Sequence, residues 1–186
     1  MKSPTPLHLP TLEGLGSMSP KTVLLALESK GRRIVLESGG GDFPRPGSPL
    51  CGGEMALSDK GTLFLHFHCL SIGVKCSVLS DTPVPFPKGE SSLEISFASK
   101  GDSNGIHFFV NPMERIHAVD GVEGKSIGRL LHPSGLSALS VTPVGATAWD
   151  IALSIPVKFS EGESIEASLK LSTPSGESLW KGVLRV

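Results

Sequence analysis

Alternation of apolar and polar residues at a period of two is the feature of this sequence that most restricts its fold. In residues 149–155 every second residue, starting from Trp149, is apolar, and the same pattern recurs in residues 63–69, 93–97 and 165–171. Successive side chains of a β-strand point to opposite faces, so each segment is predicted to be a strand with one buried face. Glycine- and proline-rich turns separate the segments, which predicts an all-β antiparallel sandwich or barrel.

The chain is predicted to form one domain preceded by an arm. Residues 1–21 contain four prolines and show neither a strand nor a helix period, which indicates an extended, Pro-rich N-terminal arm. Residues 22–186 form the predicted β-sandwich domain, a length that suits a single core. Its first strand is predicted at Val23, Leu25 and Leu27, a long glycine- and proline-rich loop at residues 38–53, and no helix is predicted.

Charge and composition exclude some classes of partner. The sequence has 17 basic and 18 acidic residues, so no net field attracts it to nucleic acid or to an anionic membrane. No segment approaches the roughly 20 apolar residues of a membrane span, and the first residues lack the apolar core of a signal peptide. Three cysteines without CxxC spacing indicate neither a disulfide framework nor a zinc knuckle. These features favour a cytoplasmic location.

Four short motifs occur in an order that resembles a known family. They are Gly61–Phe67, Ser91–Phe97, Gly105–Pro112 and Trp149–Pro156. In this order they resemble the family 9 carbohydrate-binding modules and the related DOMON-type sandwiches, over residues 54–183. The resemblance implies a two-sheet, jelly-roll-like β-sandwich. It also implies a non-catalytic binding or accessory domain whose partner is a glycan.

The two tryptophans are predicted to be core residues and not a sugar platform. Trp149 shares its strand face with Ile151 and other apolar residues, and Trp180 shares a face with Leu184. An aromatic residue on the apolar face of a strand packs between the sheets of a sandwich. The ligand site is therefore expected elsewhere.

A group of polar side chains forms the predicted ligand site. If the four matched strands are neighbours in one sheet, as the resemblance implies, then His66, His68, Glu94 and His107, with Asp150 beside them, share the face away from the core. Three imidazoles and a carboxylate are also suitable ligands for a divalent metal, so the same four residues are the metal candidates. The alternative is that they are ordinary polar side chains on a half-exposed sheet, or on a face packed against the arm.

No catalytic constellation is identified in the sequence. Cys69, the candidate for a nucleophile, lies on an apolar strand face, where a thiol acts as a small hydrophobe.

Two further functions remain open at this point. A metal- or haem-binding redox module, as in other DOMON sandwiches, would use as ligands Met55, Met113 and His107. A structural domain that binds another protein would use an exposed apolar patch of Phe64, Leu70 and Phe109.

Overall fold

A computed structural model describes most of the chain, in nine segments: residues 6–38, 50–70, 90–99, 104–112, 116–122, 129–131, 137–143, 148–156 and 162–186. These segments are mainly β-strand, which confirms the predicted all-β class. The strands are β1 Leu7–His8, β2 Thr11–Leu12, β3 Arg32–Ser38, β4 Leu50–Ser58, β5 Thr62–Leu70, β6 Ser92–Ser99, β7 Asn104–Val110, β8 Ile116–Val122, β9 Arg129–Leu131, β10 Ser137–Pro143, β11 Ala148–Pro156, β12 Ser164–Thr173 and β13 Gly176–Arg185. A short 3-10 helix, Leu15–Ser17, and the helix α1, Pro20–Lys30, precede β3.

The strands form two sheets that meet at β3. Sheet I has the order β10-β11-β5-β4-β3, and sheet II has the order β13-β12-β6-β7-β8-β9. Residues 32–36 of β3 pair with β4, whereas Glu37 and Ser38 pair with β13. Because the strand crosses from one sheet to the other, the two sheets are joined along one edge of the sandwich.

The core lies between the two sheets and is made from the alternating residues. Trp149 and Phe67 of sheet I are fully buried and belong to the same apolar cluster as Leu93 and Leu169 of sheet II. The prediction that Trp149 is a core residue is confirmed, and Trp180 is partly buried against the same cluster. Burial of these side chains is the main favourable contribution to the fold, at about 25 cal/mol per Å² of apolar surface removed from water.

The helix α1 corrects the predicted first strand. Ser19 is its N-cap and accepts a hydrogen bond from the backbone N–H of Thr22, and Pro20 occupies the first turn. Val23 and Leu27 are four residues apart, so they share one helix face and are buried. Leu25, which the predicted strand would place on the same face as Val23 and Leu27, is 58% exposed. Among the described residues no helix is long and apolar enough to span a membrane.

The described part of the N-terminal arm pairs with both sheets. β1 runs parallel to β13, with Leu7 opposite Leu184, and β2 runs parallel to β4, with Thr11 opposite Leu57. Leu9, between them, is buried in the core between the sheets. The arm therefore adds short strands to the sandwich before the chain enters α1.

The predicted loop at residues 38–53 is partly strand. β4 begins at Leu50, so Cys51, Gly52 and Gly53 all lie in sheet I, and Cys51 is buried. Residues 39–49 lie outside the described residues. Gly53 is required at its position because a Cβ there would overlap the backbone carbonyl oxygen of His66 and lie 2.7 Å from the Cα of Phe67. Gly53 thus permits close strand packing and does not indicate a loop.

Candidate functional site

The outer face of sheet I carries two parallel rows of side chains that run across its strands. The His68 row consists, in register order, of Val35, Gly52, His68 and Asp150. The His66 row lies two residues along each strand and consists of Arg33, Glu54, His66 and Ala152. Residues in register on adjacent strands have neighbouring side chains on the same face. The strand period predicted from sequence therefore places both histidines on the face away from the core.

The His68 row is open to solvent and contains a paired imidazole. Nδ1 of His68 is hydrogen-bonded to Oδ1 of Asp150, its direct partner on β11. The His68 side chain is 50% exposed and that of Asp150 is 33% exposed. A carboxylate only accepts hydrogen bonds, so Nδ1–H of His68 donates to it. In the neutral ring Nε2 is then an acceptor, and Asp150 keeps a second oxygen.

On the other side of His68 the row is flat and apolar. Gly52 contributes no side chain, and a Cβ there would meet Val35 Cγ2 at 3.6 Å. Val35 is 55% exposed. At the end of the β4–β5 pair, Leu50 and Leu70 lie opposite each other and are also exposed. A shallow apolar surface therefore lies beside a polar pair of fixed orientation.

The His66 row lies close to the C-terminal half of α1. Beyond this row, Phe64 is buried in a small cluster with Val23 and Leu27 of the helix. Glu28 Oε1 lies 3.9 Å from Nδ1 of His66, whose side chain is only 15% exposed. Within the described part of the chain this buried Nδ1 has no hydrogen-bond partner. The helix thus shields His66 and leaves His68 accessible.

Glu54 is the carboxylate that faces His66 within this row. Burial raises the pKa of Glu54 above its ordinary value of 4.5, and the nearby Glu28 raises it further. The neighbouring His66 and Arg33 act in the opposite direction but do not reverse the shift. The row therefore contains a carboxylate whose ionisation is disfavoured by desolvation.

The structure does not bring the four predicted site residues together. His66 and His68 lie in β5 of sheet I, whereas Glu94 in β6 and His107 in β7 belong to sheet II. Glu94 is in register with Lys170 of β12, on the outer face of sheet II. The premise that the four matched strands are neighbours in one sheet is therefore wrong, because the core separates the two outer faces.

The separation of the two sheets also shows that the predicted set of metal ligands is wrong. His66 and His68 cannot share an ion with Glu94 and His107, which lie in the opposite sheet. Among the described residues no group of three or more His, Cys, Asp or Glu side chains is placed to hold a metal ion. For the haem alternative, Met55 is fully buried between the sheets and Met113 lies outside the described residues.

The predicted protein-contact patch is also divided. Phe64 is buried beneath α1 and not exposed. Leu70 is exposed in sheet I, and Phe109 is half-buried in β7 of sheet II. Sequence reasoning missed the apolar part of the His68 row, because Gly52 was assigned to a loop. The short apolar run at residues 34–36, which is typical of a strand, was the available signal for Val35.

Comparisons of the sequence with protein-family profiles and with curated proteins find no match. Comparison of the structure finds similar folds. A proposed carbohydrate-binding protein from Bacteroides uniformis is 13% identical and has a TM-score of 0.72, with 98% of this chain and 99% of that chain covered. Because the identity is low, the likeness concerns the fold.

Two structures of family 9 carbohydrate-binding modules from Caldicellulosiruptor kristjanssonii are also similar. The module in complex with glucose is 8% identical, with a TM-score of 0.64 over 97% of this chain and 95% of that chain. The module in complex with cellotriose is 9% identical, with a TM-score of 0.56 over 84% of this chain and 83% of that chain. The fold implied by the four sequence motifs is confirmed: this chain is a two-sheet β-sandwich with the fold of the family 9 carbohydrate-binding modules.

Proposed function

We propose that this protein is a non-catalytic glycan-binding module. The observation that carries the proposal is that nearly the whole chain shares its fold with a module that binds glucose. A second structure of a family 9 module from the same organism contains cellotriose, and the Bacteroides protein is itself a proposed carbohydrate-binding protein. Because one fold can support several functions, the proposal also needs a suitable site on this chain.

The His68 row is the proposed glycan site. A pyranose ring has one apolar C–H face and a rim of hydroxyl groups, so it needs a flat apolar surface beside hydrogen-bonding groups. Val35 and Gly52 supply the flat surface, since Val35 is exposed and Gly52 has no side chain. Nε2 of His68 and the second oxygen of Asp150 supply two acceptors for sugar hydroxyls.

The pairing of His68 with Asp150 supports this choice over the other histidines. A hydrogen bond to a neighbouring strand holds the imidazole in one orientation, which reduces the entropy lost when a ligand binds. His66 is mostly shielded by α1, so we propose that it packs within the His66 row and does not contact a ligand. Glu94 and His107 remain a separate proposal on sheet II.

Isothermal titration calorimetry with glucose and cellotriose tests the proposal. We expect saturable binding of at least one sugar, weakened about tenfold or more in His68→Ala because a hydrogen bond to the ligand is lost. Glu94→Gln is the matched control, since it alters a polar side chain on the opposite sheet and should leave the affinity unchanged. Binding that Glu94→Gln abolishes and His68→Ala leaves intact would move the site to sheet II.

If neither glucose nor cellotriose binds, a wider set of soluble oligosaccharides is titrated, including xylo-, manno- and galacto-oligosaccharides. Absence of binding across this set would overturn the glycan proposal. In that case the exposed pair Leu50 and Leu70 would favour a protein partner. Sedimentation velocity at high concentration would then detect self-association through that face.

A further inference from the structure

Cys51 and Cys69 stand directly opposite each other on adjacent antiparallel strands. Cys51 lies in β4 and Cys69 in β5, and their Sγ atoms are 2.9 Å apart. Both thiols are free and buried. Cysteine spacing in the sequence indicated no disulfide framework, so the proximity of this pair depends on the strand register alone.

The register gives this pair the geometry that a disulfide needs. Directly opposed residues of an antiparallel pair have Cα atoms about 4.5–5.5 Å apart, within the range of about 4.4–6.8 Å that disulfides span. Formation of an S–S bond of about 2.05 Å brings the two sulfurs about 0.9 Å closer than they are here. We infer that Cys51 and Cys69 are a disulfide-forming site that joins β4 to β5 on exchange with a small-molecule disulfide such as oxidised glutathione.

The exchange balances in two steps. One protein thiol loses its proton and attacks the small disulfide, which forms a mixed disulfide and releases one small thiolate. The second protein thiol then loses its proton and attacks the protein sulfur of the mixed disulfide, which forms the Cys51–Cys69 bond and releases the second small thiolate. The protein loses two protons and two electrons, and the small disulfide is reduced to two thiols.

The end of the β4–β5 pairing nearest to the two cysteines is the proposed route of access to the pair. The last paired residues of that end are Leu50 and Leu70, one residue beyond the two cysteines, and both are exposed. Because Leu70 also pairs with Ala148 of β11 and both cysteines belong to the core cluster, uncovering the thiols requires local opening of this end of sheet I. Burial raises the pKa of the Cys69 thiol well above its ordinary value, with the contact to Cys51 adding to the shift. The reaction is therefore expected to be slow in the folded protein and faster during folding.

Peptide mapping of the full chain tests this inference. Trypsin cleaves after Lys and Arg, except before Pro, so Cys51, Cys69 and Cys76 fall in three separate peptides, residues 34–60, 61–75 and 76–88. The protein is incubated folded with oxidised glutathione, and is also refolded in a glutathione redox buffer. After alkylation and digestion, we expect peptide 34–60 to be linked to peptide 61–75 in one or both arms, and the link to persist in Cys76→Ala.

A parallel reaction in urea serves as the reference for the unfolded chain, in which the shorter separation of Cys69 and Cys76 favours their pairing. The inference is overturned if the folded and refolded samples contain only links to peptide 76–88, only glutathione adducts, or no link. The expected bond closes the loop between residues 51 and 69, so the oxidised Cys76→Ala protein should have a Tm about 6–12 °C above that of its reduced form. The test is independent of sugar binding.

Discussion

His68 on β5 and Asp150 on β11 are register partners whose side chains are hydrogen-bonded across the outer face of sheet I. The two residues are 82 positions apart in the chain, so the pair exists only because β11 lies beside β5. Gly52, on the opposite side of His68, leaves the imidazole accessible from the β4 side. This arrangement gives the exposed His68 a hydrogen-bond partner of fixed position on an open sheet surface.

The tautomer of His68 is a direct test of this pair. Because the carboxylate of Asp150 accepts from Nδ1–H, neutral His68 is expected to carry its proton on Nδ1. In Asp150→Ala the acceptor is gone, and the proton should shift towards Nε2. Nitrogen-15 NMR of the ring nitrogens above the titration range of histidine distinguishes the two forms. The same tautomer in both proteins would contradict the pairing.

The contribution of α1 to stability is tested at two leucines of the helix. Leu27 is fully buried against the outer face of sheet I, so Leu27→Ala is expected to cost about 2–5 kcal/mol in the free energy of unfolding. Leu25 is 58% exposed in the same helix, so Leu25→Ala should change it by less than about 0.5 kcal/mol. Urea denaturation followed by circular dichroism measures both. Equal effects at the two positions would indicate that α1 does not pack as described.

The raised pKa of Glu54 predicts a dependence of stability on pH. A carboxyl group whose pKa is higher in the folded than in the unfolded protein binds its proton more tightly when folded. The favourable contribution of Glu54 to the free energy of unfolding is therefore complete below the pKa of the unfolded state, ordinarily 4.5. This contribution is lost as the pH rises through the raised pKa of the folded state. Glu54→Gln removes this loss, so the difference in Tm between the variant and the original protein should be more positive at pH 7 than at pH 4.

The measurement for Glu54 is a series of thermal unfolding curves between pH 4 and pH 8. Glu37→Gln is the control, because Glu37 is an exposed carboxylate on the adjacent strand β3. It reports the effect of removing one exposed charge from a neighbouring strand. A Tm difference for Glu54→Gln that is constant across the range, or more positive at low pH, would contradict the burial of this carboxyl group.

The close approach of β4 and β5 predicts opposite outcomes for two adjacent glycines. A Cβ at Gly53 would overlap the His66 carbonyl oxygen, so Gly53→Ala is expected to destabilise the protein by about 3 kcal/mol, the upper end of overpacking effects. A Cβ at Gly52 would meet its nearest atom, the carbonyl oxygen of Ile34, at 3.4 Å, which is ordinary contact. Gly52→Ala should therefore be much better tolerated. Chemical denaturation measures the free energy of unfolding of both variants. A larger loss of stability for Gly52→Ala than for Gly53→Ala would refute the register of β4.

Errors in the sequence-based fold have specific causes. Val23, Leu25 and Leu27 satisfy a strand period, but Val23 and Leu27 also satisfy the spacing of one helix face. The decisive signals were Ser19 and Pro20, an N-cap followed by a proline suited to the first turn of a helix. For Cys51, a glycine-rich context suggested a loop, whereas Gly52 and Gly53 both lie in β4 and Gly53 allows its close approach to β5.

The candidate site was predictable in part. Period-two geometry correctly placed His66 and His68 on one face of one strand, since that relation is local. The further grouping with Glu94 and His107 rested on the resemblance, which implied that the four strands are neighbours, and it is wrong because the alternation within a strand does not report which strands are adjacent. Shielding of His66 by Glu28 and the helix was likewise not predictable, because it depends on where α1 packs.

What the sequence determined by itself is the local character of the clearly alternating segments: that residues 63–69, 93–97, 149–155 and 165–171 form strands, which face of each is apolar, and that Trp149 belongs to the core. These properties follow from side-chain alternation and burial, which act over a few residues. Only the tertiary structure decided that His68 meets Asp150, that Cys51 meets Cys69, and that sheet II holds Glu94. Such relations are non-local, because strand order and register result from packing the whole core at once.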